Sequence, residues 1–174
     1  MSLAPDGRPE HAAPPRALAS IGLLVASFAA VTLVAALGGA LTALGLGPWY
    51  DALPKPAWNP PAWVFGPVWT TLYALQAVAA WLVARAGRRA PGVRTALGLH
   101  ALQLVLQVAW SGVFFALRSP VGGVVVILAI AVTFALTTAA FRRIRPLAAA
   151  LMLPTLAWVL FATALNLAIA TGGP

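Results

Sequence analysis

The 174-residue sequence contains no cysteine. Disulfide frameworks, thiolate nucleophiles and cysteine-bound metals are therefore excluded. Carboxylates are nearly as scarce, with Asp6, Glu10 and Asp51 the three acidic residues. No carboxylate dyad, nucleophile–base pair or phosphate-binding loop can be read in the chain. Two histidines, His11 and His100, are too few for a convincing metal centre. Neither a metal nor a cofactor is expected. Charge of either sign is sparse: 8% of residues are charged and 61% are hydrophobic, against roughly 25% charged in an average soluble domain. So few charges cannot cover a water-soluble surface of this size, and lipid is the simpler solvent.

The charges that exist are clustered. Segments 17–50, 56–84, 95–117, 119–141 and 146–174 contain no Asp, Glu, Lys or Arg, or in the first case Asp51 follows directly. Each supplies the roughly 20 residues that a helix needs to cross about 30 Å of hydrocarbon. Lipid offers no partners for free backbone groups, so each span is expected to be helical. The fold class expected is an all-α membrane protein, a bundle of five transmembrane helices. The first apolar run far exceeds the roughly 7–15 residues of a signal-peptide core and is read as a span. The net charge of +8 does not indicate nucleic-acid binding, because the basic residues flank the apolar runs as topology signals do.

Residues 1–16 read as a disordered, proline-rich tail and residues 17–171 as the five-helix domain. The spans fall at about 18–44, 63–84, 95–117, 121–141 and 147–170. Between the first two lies GLGPWYDALPKPAWNPPA, residues 45–62, with Pro48, Pro54, Pro56, Pro60 and Pro61. Five prolines disfavour regular helix and predict turns and extended segments. Trp49, Tyr50 and Trp58 predict that this loop packs on the bundle or at the interface. No internal repeat is present.

Polar side chains within the spans recur at helical spacing. His100, Gln103, Gln107, Trp110, Ser111 and Phe114 share one face of the third span. Trp69, Thr70, Tyr73 and Gln76 do so in the second, and Pro154, Trp158, Phe161, Ala162, Leu165 and Asn166 in the fifth. Amides are costly in lipid, so these stripes are expected to face inward. Interhelical hydrogen bonding explains the glutamines alone. Indoles and amides together suggest a cavity for a flat apolar ligand. Trp63 and Trp81, near span ends, read as interfacial anchors.

The run Trp49-Tyr50-Asp51-Ala52-Leu53-Pro54-Lys55-Pro56-Ala57-Trp58-Asn59-Pro60-Pro61, then Val68-Trp69 and Leu72-Tyr73, closely resembles the signature of the TspO/translocator protein family, the peripheral benzodiazepine receptor family. Gln103, Trp110, Ser111, Phe114-Phe115, Pro154, Trp158, Phe161-Ala162-Thr163 and Leu165-Asn166 extend the resemblance over about residues 18–170. It implies a five-helix bundle in a lipid bilayer, often a homodimer, in a bacterial cell membrane. It also implies a receptor for porphyrins such as protoporphyrin IX and for benzodiazepine- and isoquinoline-type ligands. By position, Tyr50, Trp69, Gln107, Trp110, Trp158 and Ala162 would line the ligand site beneath the 45–62 loop. Light-dependent porphyrin breakdown is associated with bacterial members, with Trp69 and Trp158 in the matching catalytic positions. Transport of porphyrins or other hydrophobic molecules is the alternative reading. Three positions depart from the family pattern: Gln107 stands for a usual Asn, Thr155 for a common Tyr, and Ala164 for a frequent Tyr. The last loses the proposed cholesterol pattern. A homodimer is expected to use small residues of the third span, Ala101, Val105 and Gly112.

The basic residues give an orientation. Arg8, Arg16, Arg85, Arg88, Arg89, Arg94, Arg142, Arg143 and Arg145 fall on one side of the spans, and Lys55 and Arg118 on the other. Nine against two predicts an inside N-terminus and an outside C-terminus. Reporter fusions at residue 92 should read as cytoplasmic and fusions at the C-terminus as external; the opposite pattern reverses the assignment.

Overall fold

A computed structural model describes residues 16–87 and 89–172. The tail expected to be disordered falls at residues 1–15, outside the described residues, and Arg16 opens the first helix. The elements are α1 (Arg16–Ala43), α2 (Pro48–Asp51), α3 (Ala62–Ala84), α4 (Val93–Ser111), a π-helical segment (Gly112–Ala116), α5 (Pro120–Ile144) and α6 (Pro146–Ala170). Five spans are long and apolar enough to cross a membrane: Ala17–Ala43, Ala62–Ala84, Val93–Ala116, Pro120–Ile144 and Pro146–Ala170. The chain is a multi-pass membrane protein of five transmembrane helices.

Prolines set the helix starts. Pro48, Pro120 and Pro146 each occupy a first-turn position, where a missing N–H costs nothing. The residue before proline avoids helical dihedrals, and Arg145 accordingly adopts φ −146°, ψ 102°. This one extended residue joins α5 to α6 and makes them an antiparallel hairpin. At the other end of α5, Ser119 accepts a hydrogen bond from Gly122 N at 3.1 Å as its cap. The tight turn before it uses Arg118 at φ 51°, in the left-handed region.

The bundle buries small and polar side chains among its aromatic and branched core residues and leaves many other branched apolar ones outside. Ala77, Ala79, Ala96, Ala148, Gln76, Gln103, Thr137 and Thr155 are fully buried, whereas Val25, Val105, Val125, Val132 and Leu147 are exposed. Small residues let helix backbones approach closely, and lipid solvates the rest. Hydroxyls that face outward bond to their own helix: Thr70 Oγ1 donates to Gly66 O at 2.9 Å and Thr71 Oγ1 to Pro67 O at 3.0 Å. The main core joins α3, α4, α5 and α6 around Phe134, Phe141 and Met152. α1 lies at the periphery, packing on α3, α4 and the π segment, with Val31 as its buried side chain. Gly45, just beyond it, approaches Phe115 so closely that a Cβ would lie 2.6 Å from the Phe115 carbonyl oxygen.

Several expectations need correction. The 45–62 loop contains one true helical turn, α2, because Pro48 at its start is compatible with helix. The third span does not run as uniform α-helix but widens to π at Gly112. Thr70 and Pro154 lie on exposed faces and leave their inward stripes. Gly112 does not share the outward face of Ala101 and Val105: its Cβ direction points at Leu41 of α1, 3.6 Å away.

Candidate functional site

The proline-rich loop folds onto one end of the bundle. Lys55 Nζ ties it together by donating to the carbonyl oxygens of Tyr50 and Asp51 and by lying 4.3 Å from the Tyr50 ring centroid. Asn59 N donates to Pro56 O at 2.9 Å, and Pro56 is buried. Three aromatic side chains carry the loop onto the helices. Trp49 meets Phe114 edge-on at 5.9 Å, Tyr50 meets Phe115 at 5.6 Å, and Trp58 meets Phe161 of α6 at 5.7 Å. Such pairs contribute about 0.5–1.5 kcal/mol each beyond the area they bury.

The π segment makes this docking surface. Leu117 N donates to Gly112 O at 2.9 Å, an i to i+5 bond that widens the turn. Both Phe114 and Phe115 are thereby buried, at 2% and 8% exposure. Trp110 stacks on Phe114 at 5.1 Å. From α6, Trp158 meets Phe161 at 5.3 Å and Phe65 of α3 at 5.9 Å. The result is a packed aromatic cluster, called the chamber below, between α3, α4, the π segment and α6, with the loop as its cover.

Polar groups divide into satisfied and unsatisfied sets. Trp110 Nε1 donates to Asn166 Oδ1 at 2.9 Å, and Asn166 Nδ2 donates to Pro120 O at 2.9 Å. One amide thus locks α4 to α5 and α6. Gly123 permits it, since a Cβ there would lie 2.8 Å from both Asn166 Oδ1 and the Phe114 ring. Deeper in the bundle, Gln103 Nε2 donates to Gln76 Oε1 at 2.9 Å and to His100 Nδ1 at 3.1 Å. Gln107 Nε2 donates to Gln103 Oε1 at 2.8 Å and, more weakly, to Gln76 Oε1 at 3.4 Å. Four buried atoms on α3, α4 and α6 find no partner within the protein: Trp158 Nε1, Thr155 Oγ1, Gln107 Oε1 and Gln76 Nε2. An orphaned buried donor or acceptor costs about 1–3 kcal/mol, so each is an open valence.

The predicted residues do not all meet in one place. Tyr50 and Trp110 share the aromatic cluster, and Trp158 joins it through Phe65 and Phe161. Ala162 packs beside the main core, which Trp110 also touches. Gln107 lies in the glutamine network. Its expected role as a donor changes, because its Nε2 is committed to glutamine oxygens and the carbonyl oxygen is the free end. Trp69 pairs with Tyr73 at 5.4 Å, and Tyr73 packs against Val31, Ala77 and Leu104 between α1, α3 and α4. Phe65 escaped the sequence reading. Its one signal is its place two turns before Tyr73 and one turn before Trp69 on the second span. Of the two expected anchors, Trp63 is 75% exposed, while Trp81 Nε1 donates to Ser20 O of α1 at 3.0 Å.

Comparison with known proteins decides the family. The profile described as the TspO/MBR family matches residues 26–171. The chain belongs to the TspO/MBR family. It is 40% identical to the tryptophan-rich protein TspO of Chlorobaculum tepidum over 121 residues, 70% of this chain and 77% of that one. It is 42% identical to the human translocator protein over 119 residues, 68% and 70% of the two chains. The TspO of Archaeoglobus fulgidus is 38% identical over 151 residues, 84% of this chain and 94% of that one. A TspO-type membrane protein therefore carries this aromatic chamber.

The loop has a titratable reporter. Burial raises the Tyr50 phenol above its ordinary value of 10.0, and the adjacent Asp51 carboxylate raises it further. In a Tyr73→Phe background Tyr50 is the remaining tyrosine, and its ultraviolet titration should show a midpoint above 10.0. Asp51→Asn removes the smaller cause, so the midpoint should fall without reaching 10.0. A wild-type midpoint at 10.0 would mean that the loop does not stay docked.

Proposed function

We propose that this TspO-type protein is a membrane receptor for porphyrin-type tetrapyrroles, held in the aromatic chamber beneath the 45–62 loop. The observation that carries the reading is the set of unpaired groups on chamber and bundle walls. Trp158 Nε1, Thr155 Oγ1 and Gln76 Nε2 offer donors, and Gln107 Oε1 an acceptor. A flat ring with central N–H groups and peripheral carboxylates has complements for both kinds. Phe65, Trp110, Trp158 and Phe161 supply apolar and stacking faces. Trp110 contributes a face alone, because its N–H is spent on Asn166. The rings stand 5.1–5.9 Å apart across the chamber contacts, so a porphyrin enters only as they part and the loop lifts. The fit of this chain's residues to a tetrapyrrole agrees with what the family is associated with.

The same arrangement supports a second part of the reading, light-dependent breakdown of the ligand. A photoexcited ring can take an electron from an adjacent indole and pass it to dioxygen; the indole radical cation then takes an electron back from a ground-state ring, and the ring radical cation combines with the superoxide formed, so that ring and dioxygen are consumed, the indole is restored and no acid–base residue is required. Trp158, inside the chamber, is the better placed donor; Trp69, paired with Tyr73, is the second candidate. Titration with protoporphyrin IX, followed by tryptophan fluorescence, should show saturable quenching. Trp158→Phe keeps an aromatic face, so affinity should fall modestly while bleaching in light falls strongly; Trp69→Phe should do less to both. Gln107→Leu should weaken binding by about 1–3 kcal/mol, since a ligand group then loses its partner. No quenching in the wild type rejects the receptor reading. Wild-type bleaching by Trp158→Phe rejects the photochemical part and leaves a passive receptor.

A homodimer through the outward face of α4 belongs to the same proposal. Gly98, Ala101 and Val105 are exposed there at three- and four-residue steps, which suits close helix pairing in lipid. Ala101→Phe should move the detergent-solubilised protein toward monomer by light scattering. An unchanged mass excludes this face.

A further inference from the structure

We propose that the cleft between the end of α3 and the start of α6 binds the phosphate headgroup of an anionic glycerophospholipid. It lies at the bundle end opposite the aromatic chamber, and the proposal does not rest on the porphyrin reading. Leu82, Arg85, Arg145, Pro146 and Leu147 line a space of about 400 Å³.

The two arginines are held there by the fold. Arg85 is the C-cap of α3, and its guanidinium carbon lies 4.6 Å from the Trp81 ring centroid. That ring is itself fixed, because Trp81 Nε1 donates to Ser20 O at 3.0 Å. A guanidinium over an indole keeps its N–H edges available for an anion. Arg145 is the single extended residue between α5 and α6, and its backbone is pinned: its N–H donates to Phe141 O at 2.8 Å and its carbonyl accepts from Ala148 N at 2.9 Å. Two arginines on two helix ends therefore line one cleft.

Their counter-charge is not within the described fold. Asp51 is the one acidic residue among the described residues, and it sits in the loop at the other end. Arg89, Arg94, Arg142 and Arg143 surround the cleft end with further positive charge. Arginine pairs bind phosphate oxygens in bidentate fashion, and basic pockets between transmembrane helices suit anionic headgroups. The other wall selects a lipid over a free anion. Leu82, Pro146 and the exposed Leu147 make it apolar, and Leu147 opens toward the hydrocarbon. A phosphate carrying acyl chains matches both walls at once.

The test uses the full chain and native mass spectrometry with phosphatidylglycerol or phosphatidylcholine added to the detergent-solubilised protein. Phosphatidylglycerol should be retained about tenfold more tightly than phosphatidylcholine. Arg85→Gln with Arg145→Gln should abolish that preference. Arg142→Gln with Arg143→Gln, an equal loss of charge at the same end, should preserve it. Equal retention of the two lipids by wild type overturns the proposal, as does equal loss in both double variants. Displacement of phosphatidylglycerol by millimolar inorganic phosphate would make the cleft a free-anion site and also overturn it. A photo-crosslinkable phosphatidylglycerol on the wild type needs no variant to fold: adducts within residues 82–85 or 145–147 support the site, and adducts confined elsewhere exclude it.

Discussion

Hydrocarbon cannot drive helices together by the hydrophobic effect, because lipid tails are as apolar as leucine. That constraint organises this bundle. Adhesion must come from close backbone approach and from polar groups that find each other out of reach of water. The interior accordingly sets alanine, threonine and amide side chains among its buried aromatic and branched ones, and many further large apolar residues are turned outward. The glutamine network of Gln76, Gln103 and Gln107 bonds α3 to α4, and Asn166 bonds α4, α5 and α6. Each such bond contributes only about 0.6 kcal/mol on average in a membrane. Their value is geometric as much as energetic, since they fix which helix faces which.

The same economy separates scaffold from site. Asn166 uses both ends of its amide, so the Trp110 indole is held and α4 is joined to α5 and α6. Trp158 and Gln107 each retain an unused polar atom a short distance away in the sequence of the same helices. A rigid frame carrying open valences is the form expected of a preorganised binding site. The π turn serves that frame: one widened turn lets Phe114 and Phe115 both face inward, and Gly45 lets the chain entering the loop pass against Phe115. The loop then rests on rings rather than on backbone, and aromatic contacts can separate without breaking the helix ladder.

Much of this was legible in the sequence, and the reason is electrostatic. Charges are so costly in hydrocarbon that their gaps mark the spans, and the five spans fall within a few residues of their expected limits. Inward faces were legible for His100, Gln103, Gln107 and Asn166, because an amide in lipid must turn inward. Thr70 misled, since a hydroxyl can bond its own helix and tolerate either face. The π segment left no periodic signal in a short run of mixed small and aromatic residues. The single turn at Pro48–Asp51 was hidden because proline count says nothing of proline position. Pairings across the bundle, such as Trp110 with Asn166 or Trp158 with Phe65, depend on helix rotation and depth, which one-dimensional spacing does not encode.

The departures from the family pattern acquire a physical meaning in this geometry. Gln107, with one methylene more than the usual asparagine, spans the gap to Gln103 Oε1 and approaches Gln76 Oε1 with the same nitrogen. Its donor end is thus drawn into the scaffold and its carbonyl is left over. Thr155, where a tyrosine is common, is fully buried with an unpaired hydroxyl. A phenol there would be larger and carry its oxygen further from the backbone; the small threonine leaves an unpaired hydroxyl one turn before Trp158. Ala164, in the position of another frequent tyrosine, is exposed on the outer face of α6. Of these three positions, Gln107 and Thr155 therefore lie inside the bundle, where their polar atoms bear on the contacts between helices, and Ala164 lies on its outer face.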